Sequence, residues 1–160
     1  MVRTWTPESG TPEPPTGPDY REVKAWFQQC RTLASAVEAQ KQKIRRIREL
    51  AEKTTPSMSG MPGGGGAGDK IGRGAEKLVD EQRALQRMET DLCSLRIEAT
   101  RRACNIFTSP ECAEAICEFY VNCKTQEQIA KEKGVHDAGT VRRRINSGCR
   151  VLAEIWGDFA

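Results

Sequence analysis

The chain has one histidine, His136, and aromatic residues make up only 6% of its 160 positions. A single imidazole leaves no basis for a histidine-centred catalytic site or a histidine-rich metal site. No stretch approaches the run of about 18 apolar residues that a membrane helix needs, and the start of the chain lacks the short apolar core of a secretory signal. The expectation is therefore a soluble, cytoplasmic protein with no membrane partner. Net charge is small, at +3, so the balance over the whole chain does not point to nucleic acid and the local distribution must decide. No pair of cysteines has C-x-x-C spacing among the seven, Cys30, Cys93, Cys104, Cys112, Cys117, Cys123 and Cys149. An odd number without an export signal argues for reduced thiols acting as small buried apolar residues. Zinc held by Cys112, Cys117 and Cys123 is the weaker reading, because structural zinc sites bring paired, closely spaced ligands.

Charged residues are plentiful, at 29%. Residues 1–18 are proline-rich and nearly free of apolar pattern, which predicts a disordered tail. From Asp19 the apolar positions Val23, Trp26, Cys30, Leu33, Val37, Ile44, Ile47 and Ala51 alternate spacings of three and four, with Gln40 as a polar break. That is a heptad seam on a helix from about Tyr20 to Lys53. The register returns at Ile71, Leu78, Leu85, Leu92, Ala99 and Ile106, with Met88 and Leu95 interleaved and Gly74, Glu81 and Arg102 as interruptions.

Two such helices can fold back on each other and bury their stripes, so residues 19–107 are expected to form a long antiparallel α-hairpin of coiled-coil type. Its tip, at 54–70, contains SGMPGGGGAG. A phosphate-binding loop would need its glycines between a strand and a helix with a following Lys-Ser or Lys-Thr; Lys70 is followed by Ile71 and both flanks read as helix. Leftover apolar positions, Leu50, Val79 and Ile97, would serve a homodimer through the hairpin.

The second long helix is expected to end near Phe107. Ser109 as N-cap, Pro110 at the first helical position and Glu111 in the first turn predict a short helix to about Val121, with Ala113, Ile116, Cys117 and Tyr120 on one face. Thr125 then caps a helix burying Ile129 and Ala130, Gly134 ends it in the left-handed conformation, and Val135 plugs the angle. Asp137 caps a further helix that turns Val141, Ile145, Gly148, Cys149 and Leu152 inward. Residues 108–160 thus read as a small helix-turn-helix domain, and the fold class as all-α.

The last helix carries its chemistry on the outward side. Gly139, Arg143, Asn146 and Arg150 oppose the core face, with Thr140, Arg142 and Ser147 on the flanks. Arginine forks onto guanine edges or phosphates and asparagine pairs with adenine, which suits the major groove of double-stranded DNA. From Val121 to Arg150 there are seven Lys or Arg against three acids. A solvated helix face is the bland alternative, and the ordered caps and glycine turn favour DNA.

The segments SMSGMPGGGGAGDKIG and ICEFYVNCKTQEQIAKEKGVHDAGTVRRRINSGCRVL together resemble the phage-encoded RinA/ArpU-like transcriptional regulators, whose C-terminal part is similar to the fourth, DNA-binding region of sigma factors. The resemblance covers about Tyr20 to Leu152. It implies a phage or prophage origin, control of late genes in a bacterial cytoplasm with host RNA polymerase as a further partner, and DNA contacts from Thr140, Arg142, Arg143, Arg144 and Asn146. Arg150 joins that set from the helix face.

The chain departs from the family pattern at three points. The turn after Gly134 is one residue longer than usual. Cys123 replaces a common glycine, which passes the left-handed position to Asn122. Phe119 replaces a common arginine.

No catalytic residue, cofactor or metal is expected, and no enzyme. The alternative in the same phage setting is a small terminase-like subunit that builds a ring through the hairpin and recognises packaging DNA.

Overall fold

Helix α1 spans Tyr20–Lys53 and α2 spans Ala67–Ala103 in the computed structural model, which describes residues 17–53 and 67–159. The expected tail therefore lies outside the described residues up to position 16, and the expected tip lies outside them from 54 to 66. Residues 67–70, assigned to that tip from the sequence, already belong to α2. Three shorter helices follow: α3 (Pro110–Ile116), continued by a π-helical turn at Cys117–Val121; α4 (Gln126–Glu132); and α5 (Ala138–Ile155), which closes in a 3-10 turn at Trp156–Phe159. No strand occurs among the described residues, and the protein is all-α.

α1 and α2 form the antiparallel hairpin. Val23, Cys30, Val37 and Ile44 of α1 and Leu92 and Ala99 of α2 are buried, as the heptad spacing predicts. At the Trp26 position the seam shifts by one residue. Phe27 is the fully buried aromatic, and Trp26 turns aside to stack its edge on Trp156 at 5.4 Å between centroids. The reason lies in α2, where the interrupting Arg102 sets its guanidinium over both indoles, at 4.9 Å from Trp26 and 4.4 Å from Trp156, while its Nε donates to Glu98 at 2.7 Å. A half-buried arginine is stabilised by π faces and a carboxylate together.

The other polar interruptions also find each other. Gln40 Nε2 donates to the Glu81 carbonyl oxygen at 3.0 Å and to its carboxylate at 2.7 Å, and Lys43 pairs with the same carboxylate at 2.7 Å. Only one register of the two helices satisfies this clip, and a part-buried amide or carboxylate left unpaired is costly.

α2 ends four residues before the expected Phe107. Ile106 turns inward and is buried, Phe107 is 83% exposed, and Asn105 Nδ2 donates back to the Arg101 carbonyl at 2.7 Å to satisfy the helix end. Ser109 stands at the N-cap of α3 with extended backbone, but its hydroxyl donates to Cys112 Sγ at 3.1 Å instead of capping a backbone amide. On α3 and its π-helical continuation, Cys112, Ala115, Ile116 and Tyr120 are buried, while Ala113 and Cys117 are only half-buried.

One core joins the hairpin to the short helices that follow it. Val23, Phe27 and Cys30 of α1 and Ala99 and Ala103 of α2 belong to the same buried cluster as Ile116, Ile129, Val141, Ile145, Cys149 and Leu152. The near end of the hairpin and the three short helices are packed as a unit, so α1 directly fixes the orientation of α5. Of the seven thiols, Cys30, Cys112 and Cys149 are buried as expected, whereas Cys93 and Cys104 are exposed. Burial pushes the Cys149 thiol up to about 12 and the Cys117 thiol up to about 11.

Candidate nucleic-acid interface

The turn before α4 differs from the sequence expectation in one atom-level respect. Asn122 has right-handed backbone (φ −86°), and Cys123 takes the left-handed conformation at φ 57°. The pattern is that of a helix ending one residue before a left-handed residue: the Asn122 N–H donates to the Cys117 carbonyl at 2.9 Å and Lys124 N–H to the Glu118 carbonyl at 3.1 Å. Arg31 of α1 completes it. Its Nη1 donates to the carbonyls of Phe119 (2.6 Å) and Lys124 (2.9 Å), and its guanidinium lies 4.3 Å from the centre of the Phe119 ring. Phe119, which stands where the resembled family has a common arginine, thus carries a cation stacked on its ring, with the arginine supplied by α1.

Thr125 and Gln128 form a reciprocal capping box: Thr125 Oγ1 accepts from the Gln128 N–H at 3.2 Å, and Gln128 Oε1 accepts from the Thr125 N–H at 2.9 Å. Gly134 has φ 61°, and the Val135 N–H closes onto the Ala130 carbonyl at 2.9 Å. Asp137 Oδ1 accepts the Thr140 N–H at 2.6 Å, and this bond holds its carboxyl below the ordinary range. The three sequence signals for the helix-turn-helix therefore act as read, and all five residues assigned to the inner side of α5 are buried.

With about 100° per residue, Arg142, Asn146, Arg150 and Arg143 occupy adjoining directions on the outer side of α5. Arg142, Arg143 and Arg150 are exposed. Arg143 Nη2 donates to Thr140 Oγ1 at 3.1 Å, which draws its guanidinium toward the start of the helix. Arg144 lies about 100° further round, half-buried on the flank away from Asn146, so the structure brings four of the six candidate residues onto one face, with Thr140 and Arg144 beside it.

Charge follows the same division. Lys124 is paired with Glu118 and Glu132, and Lys133 with Glu114. Among the described residues no carboxylate forms an ion pair with Arg142, Arg143, Arg144 or Arg150. The positive excess seen in the sequence thus collects on the outside of α5. His136 is 96% exposed in the turn.

No family model, curated protein or solved structure matches the chain. The site is therefore defined by its own geometry.

Two contacts enlarge the face beyond the sequence motif. Lys24 Nζ donates to Asn146 Oδ1 at 2.9 Å, and Arg150 lies 5.1 Å from the Tyr20 ring centre. In the sequence Lys24 and Tyr20 read only as parts of a coiled-coil helix, and nothing in the α5 motif signals them. The contact joins residues 122 positions apart and follows from the packing of α1 on α5. Cys112, Cys117 and Cys123 do not gather into a metal site; among the described residues no group of three His, Cys, Asp or Glu could hold a metal ion. No described helix is long and apolar enough to cross a membrane.

Proposed function

We propose that the protein is a sequence-specific, double-stranded-DNA-binding transcriptional regulator, reading the major groove with α5. The observation that carries this is the set of arginines on the exposed side of α5, which have no carboxylate partner among the described residues and stand on a helix fixed by a cap and a glycine turn. Arg142 and Arg143, nearest the start of the helix, take guanine edges or phosphates; Arg150 takes the flanking backbone. α4 lies across the preceding turn, the place of the supporting helix in this motif. The resemblance to the RinA/ArpU-like regulators extends the proposal to late-gene control in a phage or prophage, acting in the bacterial cytoplasm with host RNA polymerase. No catalytic step is assigned.

Selection of bound fragments from random duplex DNA tests the proposal. A defined site is expected, and Arg142→Ala with Arg143→Ala should abolish its retention while helical content is kept. Recovery of no enriched sequence, or unchanged retention by the double variant, overturns it.

The hairpin supports a second reading. Val79 and Ile97 are 43% and 66% exposed and stand about five turns apart on one face of α2. A terminase-like packaging subunit would use that stripe, with Leu50 of α1, to build a ring. Light scattering separates the two: many copies per particle favour the packaging subunit, and a monomer or dimer favours the regulator.

A further inference from the structure

Asparagine reads adenine with both ends of its amide: Oδ1 accepts from N6 and Nδ2 donates to N7. In this protein one lone pair of the acceptor end is already taken, by a cation. Lys24 Nζ lies 2.9 Å from Asn146 Oδ1, and because an ammonium group has donors only, the amide atom facing it must be the oxygen. Nδ2 makes no hydrogen bond among the described residues, so both its hydrogens are left for a ligand. We propose that Lys24 makes Asn146 a guanine-selecting residue, so that the Tyr20–Lys24 segment of α1 is an integral part of the DNA-reading surface. This rests on the DNA-binding reading of α5.

The chemistry follows from the edge patterns of the bases. Guanine presents two acceptors in the major groove, N7 and O6, whereas adenine presents one acceptor and one donor. With an ammonium on its oxygen, Asn146 fits the first pattern better: Oδ1 keeps a second lone pair, but the positive charge beside it opposes the adenine N6 donor and favours the guanine O6 acceptor. Lys24 keeps two further N–H donors for a phosphate or a base oxygen. Its surroundings suit an anion, since Arg150 packs on Tyr20 beside it, and Arg21 lies 5.9 Å from the same ring. Lys24 acts through Asn146 and is a positioning residue.

The test is base preference, which a purely structural lysine would not alter. Wild-type protein, Lys24→Met and Asn146→Ala are each used to select binding sites from randomised duplex DNA. Methionine keeps the packing of the lysine stem and removes the ammonium. Wild type is expected to prefer guanine over adenine at one position by about tenfold, Lys24→Met to shift that position toward adenine, and Asn146→Ala to erase the preference there while leaving the others. An unchanged base preference in Lys24→Met overturns the proposal and leaves DNA binding standing. If Lys24→Met does not fold, Asn146→Ala still decides, because a guanine preference surviving at every position overturns the assignment. Wild-type protein that binds no duplex DNA removes the underlying reading and the proposal with it.

Discussion

Gly148 offers a quantitative check on the packing that orients α5. A Cβ built there would lie 2.8 Å from Ile116 Cδ1, 3.2 Å from Cys112 Cβ and 3.2 Å from Ile106 Cδ1. Ile116 is fully buried and Cys112 Cβ is fixed to its own helix, so the neighbours can yield little. Overpacking of this kind costs about 1–3 kcal/mol, and replacing glycine by alanine in a helix returns roughly 0.5–1 kcal/mol. Gly148→Ala should therefore lower stability by about 1 kcal/mol net. Gly74 supplies the control, because it is an exposed position within α2 where a Cβ meets nothing within 4 Å. Gly74→Ala should raise stability by about 0.5–1 kcal/mol.

Thermal unfolding followed by circular dichroism reads the two changes in opposite directions, at about 2–4 °C per kcal/mol for a chain of this size. A Gly148→Ala protein as stabilised as Gly74→Ala would refute the close approach of α3 to α5.

Cys123 sits in the left-handed region that glycine tolerates and a side chain does not, so Cys123→Gly should stabilise by about 1 kcal/mol, whereas Cys123→Ala should not; urea denaturation of the pair checks this. Thr125→Ala removes half of the α4 capping box and should cost about 1 kcal/mol, read as a lower urea midpoint with unchanged slope. Stability should fall on both sides of neutrality in a pH series of thermal melts. On the acid side, Glu118 is held low by its bond to Lys124, Glu98 by Arg101 and Asp137 by the Thr140 amide. Their contribution is complete above the unfolded carboxylate range near pH 4 and is lost as pH falls through the lower folded values. On the alkaline side burial raises Tyr120 and takes Cys149 to about 12, a contribution complete below the unfolded thiol value near 8.5 and lost as pH rises. A melting temperature that climbs on acidification would contradict the carboxylate assignments.

The elements with local signals were legible in the sequence. The heptad spacing located both long helices, and Thr125, Gly134 and Asp137 each perform the capping or turning role their residue types suit. Val141, Ile145, Gly148, Cys149 and Leu152 lie inward because their spacing leaves one continuous stripe. What escaped depends on partners distant in the chain. Trp26 and Phe27 are adjacent apolar residues, and only Arg102 and Trp156 decide which of them turns aside. Ser109 has the right type for a cap, but a nearby thiol takes its hydroxyl. The left-handed residue of the turn moved from Asn122 to Cys123 because the π-helical turn adds a residue before the chain reverses. Lys24 could be placed beside Asn146 only once α1 and α5 were known to share a core. Asn146, which reads from the sequence as a free base-contacting amide, is already bonded.

The most direct measurement is a titration of the selected duplex by fluorescence anisotropy at several salt concentrations, with wild type and the Arg142→Ala, Arg143→Ala protein. Wild-type affinity should fall steeply with salt. The double variant should bind at least tenfold more weakly, with the logarithmic slope reduced by about 0.9 for each phosphate it no longer neutralises. Equal affinity and equal salt slope for the two proteins, with helicity retained, would contradict DNA recognition by α5.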